Sequence, residues 1–78
     1  MIVSVHAKER MLKKGISEDE VIQCLDYGIP QVTKCVEGEI RHAKLIDLKD
    51  KSVVVIYTFR DGELRVITTY AIMKNDGK

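Results

Sequence analysis

The sequence predicts an α+β domain: two N-terminal helices packed on one face of a three- to four-stranded antiparallel sheet. Three observations carry this expectation. Helix signals fill the first third of the chain, and each helical segment closes on Gly-Ile, at Gly15-Ile16 and Gly28-Ile29. Two runs rich in β-branched residues follow, from Val53 to Phe59 and from Leu64 to Ile72. Between them stands Asp61-Gly62, a dipeptide suited to the left-handed backbone of a two-residue type I′ hairpin. Helices first and strands after give the α+β class.

The first helix is expected over residues 3–14. Val3, Ala7 and Met11 recur at helical spacing. Gly15 suits the left-handed C′ position, and Ile16 beyond it can contact Met11. Lys13 and Lys14 complement the negative end of the helix dipole. The second helix is expected over 17–27. Ser17 with Glu20 forms a capping box, and Ile16 with Val21 a hydrophobic staple. Val21, Ile22, Cys24 and Leu25 give its buried stripe. Gly28 is expected at the C′ position, and Pro30 forbids continuation.

Strands are expected over 32–36, 40–48, 53–60 and 63–72, with a turn at Glu37-Gly38 and a polar loop from Asp47 to Ser52. The Asp61-Gly62 turn sets a register. Arg60 faces Glu63 as an ion pair, Phe59 faces Leu64, Tyr57 faces Val66, Val55 faces Thr68 and Val53 faces Tyr70. Opposed residues share a face. Thr68 and Tyr70 therefore fall with the valines on the face that the helices should cover. Thr58, Arg60, Glu63, Arg65 and Thr69 fall on the other face, with Val54, Ile56 and Ile67. Asn75 to Lys78 are expected to fray.

Seventy-eight residues make one domain, residues 1–78, which buries only about 60–65% of its unfolded surface. No segment approaches the ~20 apolar residues of a membrane span. The first residues are too few and too soon charged for a secretory signal, and two cysteines are too few for a disulfide framework. A cytoplasmic protein with Cys24 and Cys35 as free thiols is expected. The net charge is +1, from 13 basic and 12 acidic residues, which gives no argument for a broad nucleic-acid surface. Lys8, Arg10, Lys13 and Lys14 outweigh Glu9, however, and can form a local basic patch.

The residues suited to chemistry lie at the two ends of the chain. His6 and Arg10 are four apart, hence neighbours on one helix face. The helix N-terminus disfavours imidazolium, so His6 can act as a base. The Arg10 fork suits phosphate or carboxylate. If the first helix covers the hairpin, His6, Arg10, Thr68 and Tyr70 converge. Two readings of that convergence stand open: a satisfied polar knot, or a site that holds an anion. A zinc site from His6, Cys24, Cys35 and His42 is a further option, but their spacing matches no finger or ribbon. No metal and no cofactor is expected. No phosphate loop, dinucleotide-binding fingerprint or hydrolase elbow occurs.

The run His6-Ala7-Lys8-Glu9-Arg10-Met11, followed by Lys13-Lys14-Gly15-Ile16-Ser17-Glu18, resembles the opening of a prokaryotic family of domains of unknown function, numbered 4258. The late strand Val66-Ile67-Thr68-Thr69-Tyr70 resembles that family's second motif. The chain departs from the pattern at Lys14, where the family often has Arg, so that a point charge replaces a fork. The family is similar in layout to the RelE and BrnT ribonuclease toxins. That resemblance implies metal-independent RNA cleavage or RNA binding. It implies His6, Arg10 and Tyr70 as catalytic residues and Lys14 and Thr68 as substrate-binding residues. The competing expectation is a non-catalytic interaction or regulatory module, contacting a protein partner or a second copy through the less apolar sheet face, where Ile56 and Ile67 lie.

Overall fold

The computed structural model describes residues 1–74 and contains β1 (Ile2–Val3), α1 (Val5–Lys14), α2 (Glu18–Tyr27), β2 (Ile29–Pro30), β3 (Lys34–Val36), β4 (Glu39–Asp47), β5 (Lys51–Arg60) and β6 (Glu63–Met73). The α+β class follows from these elements. The fraying expected over 75–78 lies outside the described residues.

Two serines start the two helices. The Ser4 hydroxyl accepts the Ala7 N–H at 3.0 Å and donates to the Ile67 carbonyl at 2.9 Å. It thereby caps α1 and ties it to β6, and α1 begins at Val5 rather than Val3, which belongs to β1. Gly15 ends α1 in the left-handed region at φ +66°, and the Ile16 N–H reaches the Met11 carbonyl at 2.9 Å. Ser17 and Glu20 form the expected reciprocal capping box on α2. Gly28 differs from expectation. Its backbone is extended, with φ −69°. Glycine is required there for space, because a Cβ would stand 2.3 Å from the Cys24 carbonyl oxygen and 3.1 Å from that of Leu45.

The sheet has six strands rather than three or four, in the order β1-β6-β5-β4-β2, with β3 also on β4. It is mixed rather than wholly antiparallel, since β1 runs parallel to β6. The extra strands, β1 and β2, are two residues each, too short to show an alternating pattern. The 32–36 strand contracts to Lys34–Val36, and β5 starts at Lys51, inside the stretch expected as a loop. Both hairpin turns have the left-handed pairs that their sequences demand, Glu37-Gly38 and Asp61-Gly62.

The hairpin register holds from Arg60↔Glu63 through Tyr57↔Val66 and then shifts. Ile67 has no partner on β5, and pairing resumes as Ile56↔Thr68, Val55↔Thr69, Val54↔Tyr70 and Val53↔Ala71. One inserted residue moves every later side chain to the other face. Thr69 and Ala71 therefore join Val53 and Val55. Thr68 and Tyr70 move to the face opposite the helices, a correction to the expected placement.

The helices cover the other face, α1 against β6 and α2 against β5 and β4. Ala7, Ile16, Val21, Cys24, Val53, Val55, Tyr57 and Val66 form the core. Ile22, expected in the buried stripe, is exposed. The Lys51 ammonium is buried beneath the helix junction. It donates to the Gly15 carbonyl at 2.7 Å and pairs with Glu20 at 3.0 Å, locking the end of α1 to the start of α2. Among the described residues, no helix is long and apolar enough to cross a membrane.

Candidate functional site

The face opposite the helices carries the polar chemistry. Strand alternation and the bulge bring Thr58, Arg60, Arg65, Thr68 and Tyr70 to it from β5 and β6, and Glu39 and Arg41 from β4. Two adjoining clefts cross this face. One, of about 180 Å³, is bordered by Ile2, Glu39, Arg41, Thr58, Arg60 and Arg65. The other, of about 360 Å³, is bordered by Lys34, Arg41, Ala43, Ile56, Thr68 and Tyr70. Arg41 and Ile67 line both, so the bulge residue forms part of the wall between them.

Arg10 of α1 reaches Tyr70, which borders the second cleft. Its guanidinium carbon lies 5.3 Å from the centre of the Tyr70 ring, a cation–π contact. Tyr70 is on the face that α1 does not cover. The contact is therefore made around the edge of β6, which β1 pairs only at Arg65 and Val66. Arg10 forms no ion pair among the described residues, and its Nε is buried without a hydrogen-bond partner. The Thr68 Oγ1 is likewise buried and unbonded. Such groups cost about 1–3 kcal/mol each when left without partners. Arg10 and Thr68 thus bring a cation and a hydroxyl with unsatisfied polar atoms to the edge of β6.

The residues expected to share one cluster divide into three sets. Arg10 meets Tyr70, and Thr68 lines the cleft with Tyr70. His6 is exposed and lines a shallow depression on α1 with Glu9, Arg10, Leu12 and Lys13. Lys14, exposed in the last turn of α1, borders neither sheet cleft. Convergence beneath the helices does not occur, because the bulge turns Thr68 and Tyr70 away. Arg10 instead reaches around to them.

Arg41, Arg60 and Arg65 were not singled out by sequence as site residues. Arg60 bonds to Glu39 at 2.6 Å, not to Glu63 as its hairpin partner suggests. The Arg60 guanidinium, with Arg41 after it, holds the Glu39 carboxyl below its ordinary range. The Arg65 Nε is buried with no hydrogen-bond partner among the described residues. The available signal was the polar alternation Thr58, Arg60 and Arg65 around the hairpin. It lacked only the cross-strand position of Arg41, which the sequence does not give. Ile56 and Ile67, expected as an exposed contact face, are half-buried walls of the clefts.

The four residues weighed for zinc lie in different settings. Cys24 is buried, and its thiol donates to the Lys44 carbonyl at 3.3 Å. Burial pushes that thiol's pKa up. Cys35 is exposed on β3, His6 lies on the outer side of α1, and His42 stacks on Tyr57 at 5.2 Å. Among the described residues, no three His, Cys, Asp or Glu side chains group as metal ligands.

Fold and face together define a small α+β domain whose sheet presents arginines and a tyrosine on the side away from its helices. The chain belongs to the family described as Domain of unknown function (DUF4258), whose model matches residues 3–71. That span runs from β1 nearly to the end of β6 and includes Arg10, Arg65, Thr68 and Tyr70. No curated protein and no solved structure matches the chain.

Proposed function

We propose that this protein binds RNA on the sheet face opposite its helices and cleaves it, without a metal, at the corner formed by Arg10 and Tyr70. The observation that supports this reading best is the Arg10 guanidinium, without an ion pair among the described residues, lying over the Tyr70 ring, with the Thr68 hydroxyl unbonded among those residues in the cleft that Tyr70 borders. Net charge near zero does not oppose it. Arg10, Lys34, Arg41, Arg60 and Arg65 concentrate around the clefts, whose lining carboxylate is Glu39. Local charge of this kind provides phosphate affinity.

In the proposed reaction the strand passes over the outer side of Arg10, where His6 shares a depression with that arginine, and His6 takes the proton of a ribose 2′-hydroxyl. The 2′-oxygen attacks the neighbouring phosphorus, and the bond from phosphorus to the 5′-oxygen breaks. Arg10 and Thr68 offset charge on the non-bridging oxygens. The Tyr70 phenol gives its proton to the departing 5′-oxygen. Water returns the proton from His6 to Tyr70, leaving a 2′,3′-cyclic phosphate and a free 5′-hydroxyl. Lys14, one turn beyond Arg10, attracts the strand at longer range.

The test is incubation of mixed-sequence RNA with purified protein in excess chelator. The reading expects fragments with 2′,3′-cyclic ends and their loss in Arg10→Ala and Tyr70→Phe. Intact RNA across varied sequences would contradict cleavage. A second reading, a non-catalytic module contacting a partner or a second copy through the sheet, draws on the edge of β6. Beyond Val66 that edge has no strand partner among the described residues, and Ile72 and Met73 near its end are exposed. A concentration-dependent dimer without cleavage would favour it.

A further inference from the structure

The smaller cleft lies away from the Arg10–Tyr70 corner and is built for an anion of its own. Arg41, Arg60 and Arg65 all border it, and the carboxylate among its lining residues is Glu39. Glu39 accepts from the Arg60 Nη2 at 2.6 Å and Nε at 3.1 Å, and its other oxygen meets the Arg41 Nε at 3.5 Å. Arg65 has no ion pair among the described residues, and its Nε is buried without a partner. Three guanidinium groups around one carboxylate leave an excess of two positive charges in a half-enclosed space. Guanidinium forks in that arrangement recognise phosphate oxygens in pairs.

We infer that this cleft is a second phosphate subsite, which holds a backbone phosphate of the same RNA strand whose reacting phosphate lies at Arg10 and Tyr70. The inference rests on the RNA reading above and adds a minimum strand length to it. Arg65 and Tyr70 face Thr58 and Val54, four residues apart on β5. At ~3.3 Å per residue this is about 13 Å. A stacked strand advances ~3.4 Å per nucleotide, so the two subsites are about four nucleotides apart. Glu39 occupies the arginines when the strand is absent and competes with the phosphate.

The experiment is fluorescence anisotropy with 2′-deoxy oligonucleotides, which lack the attacking hydroxyl, of three and eight nucleotides. The wild-type protein is expected to bind the longer strand about tenfold more tightly, the effect of one charge-assisted contact. Arg65→Gln should lower the longer strand to the level of the shorter, leave the shorter unchanged, and reduce the salt slope by about 0.7. Arg60→Gln, at an exposed position, should act in the same direction, and its melting curve would show that folding is intact. Glu39→Gln should tighten the longer strand alone. Equal affinity of wild type for both lengths, or equal weakening of both by Arg65→Gln and Arg60→Gln, would overturn the second subsite while leaving the RNA reading in place. Absence of binding to either strand would overturn both.

Discussion

The Arg10 guanidinium lies 5.3 Å from the centre of the Tyr70 ring and joins α1 to the far side of β6. The pair needs both a planar cation and an aromatic face. Arg10→Lys keeps the charge but gives up the fork and the stacking. It is expected to cost about 0.5–1 kcal/mol of stability, read as a lower urea midpoint. Tyr70→Phe keeps the ring and should leave that midpoint in place. The two variants therefore separate the contact from the phenol. In the cleavage assay, Tyr70→Phe should lose about 10²-fold in rate through the missing proton donor while retaining affinity.

Thr68 and Thr69 offer a second comparison, because both have buried hydroxyls with no hydrogen-bond partner among the described residues. Thr69 faces the core between the helices and the sheet, paired with Val55. Thr69→Val removes an unbonded polar atom at nearly constant shape and should stabilise by about 1 kcal/mol. Thr68→Val should stabilise similarly, since its hydroxyl is also unbonded. On the proposed function Thr68→Val should in addition weaken RNA binding, whereas Thr69→Val should not. Thermal melts beside binding titrations read both effects.

Lys51 is the polar pin of the helix layer. Lys51→Met should destabilise by about 1–3 kcal/mol, because the Gly15 carbonyl and the Glu20 carboxylate lose a shared donor. The same contact shapes the acid limb of stability. The Ser17 backbone N–H, and the Lys51 ammonium with it, hold Glu20 below its ordinary 4.5 despite opposing desolvation. A lowered carboxylate stabilises the fold above 4.5, and that contribution is lost as pH falls through its folded pKa. Acid titration of wild type should show this loss below pH 4.5, and Lys51→Met should reduce it.

Gly15 and Gly28 both follow helices but for different physical reasons. Gly15→Ala meets no atom within 4 Å and encounters only its φ of +66°, so about 1–2 kcal/mol is expected. Gly28→Ala has an ordinary φ but drives its Cβ against the Cys24 carbonyl oxygen at 2.3 Å. Backbone there cannot yield without moving α2 from β4, and the loss should exceed that of Gly15→Ala. Denaturant midpoints of the two variants make the comparison.

The contrast between these glycines shows what local sequence can carry. Caps, turns and the α+β order were legible because Ser17 with Glu20, Gly15 and Asp61-Gly62 act within a few residues of themselves. Gly28 is extended rather than left-handed because the chain turns there into β2, and its need for space comes first from the Cys24 carbonyl oxygen and then from Leu45, which only the folded sheet brings near. The bulge was not legible either. Val66-Ile67-Thr68-Thr69 contains no glycine to mark an inserted residue, and the unpaired Ile67 is selected by how β6 fits both β5 and the Ser4 cap. That one residue decided the site. It turned Thr68 and Tyr70 to the open face, beside arginines whose cross-strand neighbours only the sheet order reveals. Arg10 remained their partner by reaching around the edge.

Amide NMR titration with an eight-nucleotide 2′-deoxy strand reads directly whether a nucleic-acid strand engages the face opposite the helices. Shifts are expected to concentrate at Arg10, Arg41, Arg65, Thr68 and Tyr70, with α2 unmoved. No shifts at saturating strand, or shifts confined to α2, would contradict that engagement.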